Sequence, residues 1–170
     1  MNKKENVLKK VIRLSVVAAL YIALTFALSG LAYANIQFRV AEILVLLCFF
    51  RKDYGYSMIL GCLIVNLFSP LGIIDVVVGT FATFLSVLFV SISKKLWIAS
   101  IFPVLFNGLL VGLELWFVLD LPFVLSALEV AIGELAVMIF GVVTFKYLQK
   151  DNHFVELIDA NQNIKKANKL

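Results

Sequence analysis

The chain has 170 residues, 62% of them hydrophobic and 15% charged, with a mean hydropathy of +1.02. A soluble domain is about 45–50% apolar and about 25% charged, so a soluble enzyme, a disordered chain and a disulfide scaffold are excluded and an integral membrane protein remains. The net charge of +4 and the pI of about 9.1 suggest nucleic acid only until the positions of the charges are read.

Six apolar segments follow in chain order, at residues 11–34, 40–50, 54–69, 72–91, 96–119 and 122–148. The runs are continuous rather than alternating, which rules out strands of a barrel. Backbone polar groups in lipid must be satisfied within the segment, so helices follow. The second and third segments are short for a bilayer core of about 30 Å and belong inside a bundle or beside a cavity. The breaks are polar or turn-forming: residues 34–39, Arg51-Lys52-Asp53, Ser69-Pro70-Leu71-Gly72, Ser93-Lys94-Lys95 and Asp120-Leu121-Pro122. The expected fold is an all-α membrane protein. Residues 1–148 form a single bundle of six transmembrane helices, and residues 149–170 form a polar cytoplasmic tail. The basic residues 1–10 precede an apolar run too long for a signal peptide.

Threading six helices from a cytoplasmic N-terminus places every lysine and arginine except Arg39 on the inner side, 14 of the 15. This is the positive-inside pattern. It predicts that both termini are cytoplasmic, with residues 35–38 outside, in the plasma membrane. The basic pI is then an inner-leaflet signature, and no nucleic-acid partner is expected.

The acids distribute differently. Glu42, Asp75, Glu114, Asp120, Glu129 and Glu134 fall in or above the membrane, mostly in its outer half. Glu129 and Glu134 lie about 10 and 18 Å down the last span at 1.5 Å per residue. Each ionisable group in the bilayer costs roughly 2.5–3.5 kcal/mol on insertion scales, so such groups pair or serve function. Arg39 cannot neutralise six anions. The surplus points to an outward-facing cavity for a cation or a donor-rich polar solute. Glu42 is three residues from Arg39 and also reads as its ion-pair partner. Asn66 and Asn107 read as ligand contacts or as interhelical hydrogen bonds. Asn107 and Glu114, seven apart, share a helix face, and Gly133 leaves backbone room beside Glu134. Asp120 reads as a solvated loop acid, and Glu129 as facing headgroups.

On the first helix Ala19, Ala23 and Ala27 repeat at every fourth residue. Small residues at this spacing let backbones approach closely in lipid, either within the bundle or against another subunit. Cys48 and Cys62 sit in apolar runs as small hydrophobes, and His153 lies alone in the tail. No metal site, cofactor or catalytic residue is expected. There is no P-loop, HExxH or Ser/His/Asp set, so any energised transport draws on an ATPase in another subunit.

The stretch Ile36-Gln37-Phe38-Arg39-Val40-Ala41-Glu42, the run from Asn66 through Ser69-Pro70, Gly72 and Asp75 to Gly79-Thr80, then Pro103 with Asn107-Gly108, and Gly133-Glu134 together resemble the QueT family. The resemblance covers residues 11–148. The family comprises membrane substrate-binding subunits (S components) of energy-coupling factor transporters. Membership implies uptake of a queuosine precursor, a 7-deazaguanine base such as 7-aminomethyl-7-deazaguanine, or queuine. It also implies a transmembrane coupling subunit and two cytoplasmic ATPases as partners, with the alanine stripe touching the coupling subunit.

The chemistry agrees with such a ligand. One carboxylate accepts from the ring N–H and exocyclic amine, a second takes the aminomethyl cation, and an amide meets the ring oxygen. The candidate substrate contacts are Glu134, Asn107, Asp75, Glu114, Asn66, Arg39 and Glu42, and the candidate partner contacts are Ala19, Ala23 and Ala27. Two alternatives stand beside this reading. One is an S component for a different vitamin; the other is a structural or assembly protein whose acids only pair.

Overall fold

The computed structural model of the chain describes residues 7–28, 39–158 and 160. The expected outer loop at residues 35–38 and the end of the tail lie outside them. The described residues form seven helices and no strand. Helix α1 spans Val7–Ala27. Helix α2, Val40–Phe50, begins as a 3-10 helix over Val40–Leu46 and ends as α-helix over Leu47–Phe50. Helices α3 (Tyr54–Asn66) and α4 (Ile73–Ile92) follow. Then come α5 (Leu96–Leu119), α6 (Phe123–Leu148) and the short α7 (Asn152–Leu157). By length and composition α4, α5 and α6 can each cross a membrane.

The turns follow local chemistry. Gly72 has φ +70°, a conformation that costs an L side chain, and its N–H bonds to the Ser69 carbonyl at 3.1 Å. Asp120 closes α5 in the left-handed region at φ 53°, which Asp tolerates better than most residues. Helix α5 is interrupted at Ser100, because Pro103 offers no N–H to the Ala99 carbonyl.

Packing runs in sequence around the bundle: α1 lies on α3, α3 on α4, α4 on α5 and α5 on α6, while α2 packs between α1 and α6. The α5–α6 crossing is close. A Cβ at Gly112 would lie 2.6 Å from the Ala127 backbone, so only glycine permits that approach. Helix α2 is enclosed nearly all round, from Leu44 to Phe50, as expected of a helix apolar on every face. That placement explains its length: it fills the core and need not match the bilayer. The core continues through Tyr54, Met58, Val87, Val90, Met138 and Phe145. At the basic end the tail folds back onto the bundle. Tyr54 donates to the Ile158 carbonyl at 3.0 Å, and the Phe154 ring lies 6.1 Å from that of Phe145.

Candidate functional site

Five helices bring polar side chains to one region of the core. Helix α2 supplies Glu42, with Arg39 just before it; α3 supplies Cys62 and Asn66; α4 supplies Asp75 and Thr83; α5 supplies Asn107 and Glu114; α6 supplies Glu134. Glu42, Asn107 and Glu134 have no solvent exposure, and Asn66, Asp75, Glu114 and Thr83 are also buried.

Glu42 is the organised acid. Its Oε1 accepts from the Tyr21 hydroxyl at 2.7 Å and from Thr83 Oγ1 at 3.4 Å, and lies 3.7 Å from Arg39 Nη2. The Thr83 hydroxyl also reaches Cys62 Sγ at 3.2 Å, so its single proton serves one acceptor at a time. Asn66 Nδ2 donates across helices to the Asp75 carbonyl at 3.0 Å and contacts Cys62 Sγ at 3.4 Å. Gly79 makes room for this junction, since a Cβ there would lie 2.5 Å from Asn66 Nδ2 and 2.8 Å from Asp75 Oδ1.

The remaining groups are unpaired. Both carboxylate oxygens of Glu114 and of Glu134, both amide atoms of Asn107, and Glu42 Oε2 are buried without a hydrogen-bond partner. Asn107 lies beside Glu134, but the two do not reach hydrogen-bond geometry. Each unsatisfied buried group costs about 1–3 kcal/mol, more when charged. Buried polar atoms are ordinarily paired, so this cluster of orphans is the candidate ligand site of the chain.

Arg39 lies within electrostatic reach of Glu42 and Asp75, of Glu114 and of Glu134. Its field thus extends to Glu134, 95 positions away in the chain. Even so, one guanidinium faces four carboxylates, and its contact goes to Glu42. Carboxyl groups thus outnumber cations in the cluster, an arrangement rich in acceptors for a donor-rich or cationic solute. Among the described residues no group of side chains is arranged to hold a metal ion.

The other sequence candidates fall elsewhere. Asp120 is exposed and Glu129 is half-buried outside the cluster. Ala19, Ala23 and Ala27 are all exposed, so the stripe faces away from the bundle rather than into it. Tyr21, Cys62 and Thr83 were missed. Tyr21 alone carried a legible signal: a tyrosine hydroxyl midway along an apolar helix needs a partner.

Two cavities lie away from this cluster. One, of about 820 Å3, is an apolar groove lined from α1, α2, α6 and α7, including Val16, Leu20, Leu47 and Phe145. The other, of about 300 Å3, is basic and lies at the opposite end of α6 from Pro122.

Comparison with known proteins gives one consistent result. The profile of the family described as QueT transporter matches residues 11–150. The queuosine precursor transporter QueT of Lactococcus lactis subsp. cremoris (strain MG1363) is 33% identical over 150 residues, covering 77% of this chain and 86% of that protein. No solved structure matches.

Proposed function

The chain belongs to the QueT transporter family, and we propose that it is the membrane-embedded substrate-binding subunit of an ATP-driven importer that takes up a queuosine precursor. It is a transporter component, not an enzyme. The observation that carries the reading is the set of buried, unpaired groups on Asn107, Glu114 and Glu134. A structural protein whose acids merely paired would leave no such set.

In this reading the ligand is a 7-deazaguanine base. Glu134 accepts from the ring N–H and exocyclic amine, and Asn107 meets the ring oxygen. Asp75 on α4 and Glu114 on α5 each stand about 25–27 Å of helix rise above the basic end of their own helix and face an aminomethyl cation. Arg39 and Glu42 hold each other and border the ligand, and Asn66 braces Asp75. A site of this kind discriminates strongly, because an analogue lacking a donor leaves a buried acceptor unpaired.

The chain then works in the plasma membrane with six spans and both termini cytoplasmic. The charge asymmetry supports that orientation. Energy comes from a transmembrane coupling subunit with two cytoplasmic ATPases, and the exposed Ala19, Ala23 and Ala27 stripe is the contact for the former.

Isothermal titration of the detergent-solubilised chain with 7-aminomethyl-7-deazaguanine, guanine and a panel of vitamins tests the reading. Saturable binding of the deazaguanine, with guanine at least tenfold weaker, is the expected result. Tight binding of a vitamin instead reassigns the substrate, and no binding of any compound returns the chain to a structural role.

A further inference from the structure

We propose that the basic end of the bundle carries a binding site for the phosphate headgroup of an anionic phospholipid, formed by Lys94, Lys95 and Lys146 around the cavity of about 300 Å3. The site is separate from the acidic cluster and does not depend on the identity of the transported solute.

Lys94 and Lys95 occupy the turn between α4 and α5, and Lys146 stands in the last turn of α6. Phe49, Leu96, Trp97 and Gln149 complete the lining, and no acid is among the lining residues. Phe49 and Leu96 are buried and form an apolar floor. Of the other cations at this end, Lys10 and Arg51 both bond to Asp53, at 3.0 and 2.9 Å, and Lys52 and Lys150 do not line the cavity. Among the described residues, Lys94, Lys95 and Lys146 have no ion-pair or hydrogen-bond partner. Three like charges converging on one hollow repel one another unless an anion joins them.

Depth identifies the anion. Three helices apolar enough to cross a membrane begin or end at this cavity, so the lysines stand at headgroup level. Trp97, half exposed in the first turn of α5, is the kind of side chain that settles at the membrane interface. Solvated lysines that merely set orientation would need neither a shared cavity nor an apolar floor. A free phosphate ion would gain nothing from Trp97 and Phe49, whereas a phospholipid places its phosphate on the ammonium groups and its glycerol and first methylenes against those rings. Basic pockets between spans bind anionic headgroups in this way.

The test follows thermal unfolding of the full chain in a neutral detergent while phosphatidylglycerol, phosphatidylcholine or inorganic phosphate is added. Phosphatidylglycerol raises the melting temperature and phosphatidylcholine does not. A K94Q/K95Q/K146Q variant needs about tenfold to hundredfold more phosphatidylglycerol for the same rise, while K52Q/K150Q responds as the native chain does. If the triple variant fails to fold, K94Q/K95Q, altered only in an exposed turn, carries the test with a smaller loss. An absent response in the native chain, or an undiminished one in these variants, overturns the site. A rise with inorganic phosphate alone makes it a free-anion site and also overturns the proposal. If the variants keep the lipid response but lose uptake in cells, the lysines face an acidic partner protein instead.

Discussion

The Tyr21 hydroxyl donates to Glu42 Oε1 at 2.7 Å, and the same ring lies against Gly61, where a Cβ would come within 3.0 Å of it. One side chain therefore joins α1 to the buried acid of α2 and to the backbone of α3. Its hydroxyl and its ring make separable contributions. Tyr21→Phe keeps the ring and removes a hydrogen bond to a buried charged group, a loss of about 1.5–3 kcal/mol. Tyr21→Leu removes ring packing as well and lowers the melting temperature further. Thermal unfolding of the two variants in detergent checks the order, and a Phe variant as stable as the native chain would show that the hydroxyl contributes nothing.

Glu134→Gln keeps the size of the side chain but halves its accepting capacity. Affinity for the deazaguanine falls about tenfold to hundredfold, measured by titration on folded protein. Glu129→Gln, five residues earlier on the same helix and outside the cluster, leaves affinity unchanged. Equal effects at the two positions would remove Glu134 from the ligand and move the role to Asp75 or Glu114.

Ala23→Leu adds bulk to the exposed centre of the alanine stripe. The stripe is exposed among the described residues, so stability changes by no more than about 0.5 kcal/mol and ligand affinity stays as it was. Co-purification of the coupling subunit and ATP-driven uptake fall together, since overpacking at a close contact costs about 1–3 kcal/mol. A variant that instead loses stability and ligand affinity, while whatever remains folded still holds its partner, is incompatible with the docking role.

Asp53 supplies a pH dependence at the basic end. Burial pushes its carboxyl up, but the hydrogen bonds and charges of Lys10 and Arg51 outweigh this and hold it below the ordinary 3.8. A depressed folded-state value stabilises the fold above the unfolded-state value, and the gain is lost as pH falls through the lower one. The groups are partly exposed, so the contribution at neutral pH is about 1 kcal/mol or less. Asp53→Asn therefore lowers stability at pH 7, and the gap to the native chain narrows as pH falls below the ordinary 3.8. A stability difference that persists unchanged at pH 3 would locate the effect in packing rather than charge.

Composition alone established the membrane class, because 62% hydrophobic residues cannot be covered by polar surface. Each of the six apolar runs contains a helix, since unbroken apolar backbone has few alternatives in lipid. The acids were legible as outliers for the same reason: a carboxylate in a span is conspicuous and costly. What the sequence could not supply was facing. In a soluble helix the polar face marks the outside, but in a membrane both the lipid face and the core face are apolar, so periodicity does not separate them. Glu129 and Glu134 are about 140° apart around one helix, and only the packing of α2 and α5 against α6 buries the second. The outward turn of the alanine stripe, the enclosure of α2, and the gathering of Arg39 with Glu114 and Glu134 were likewise decided by which helices became neighbours. Those contacts join residues up to 95 positions apart, and no local pattern in the chain records them.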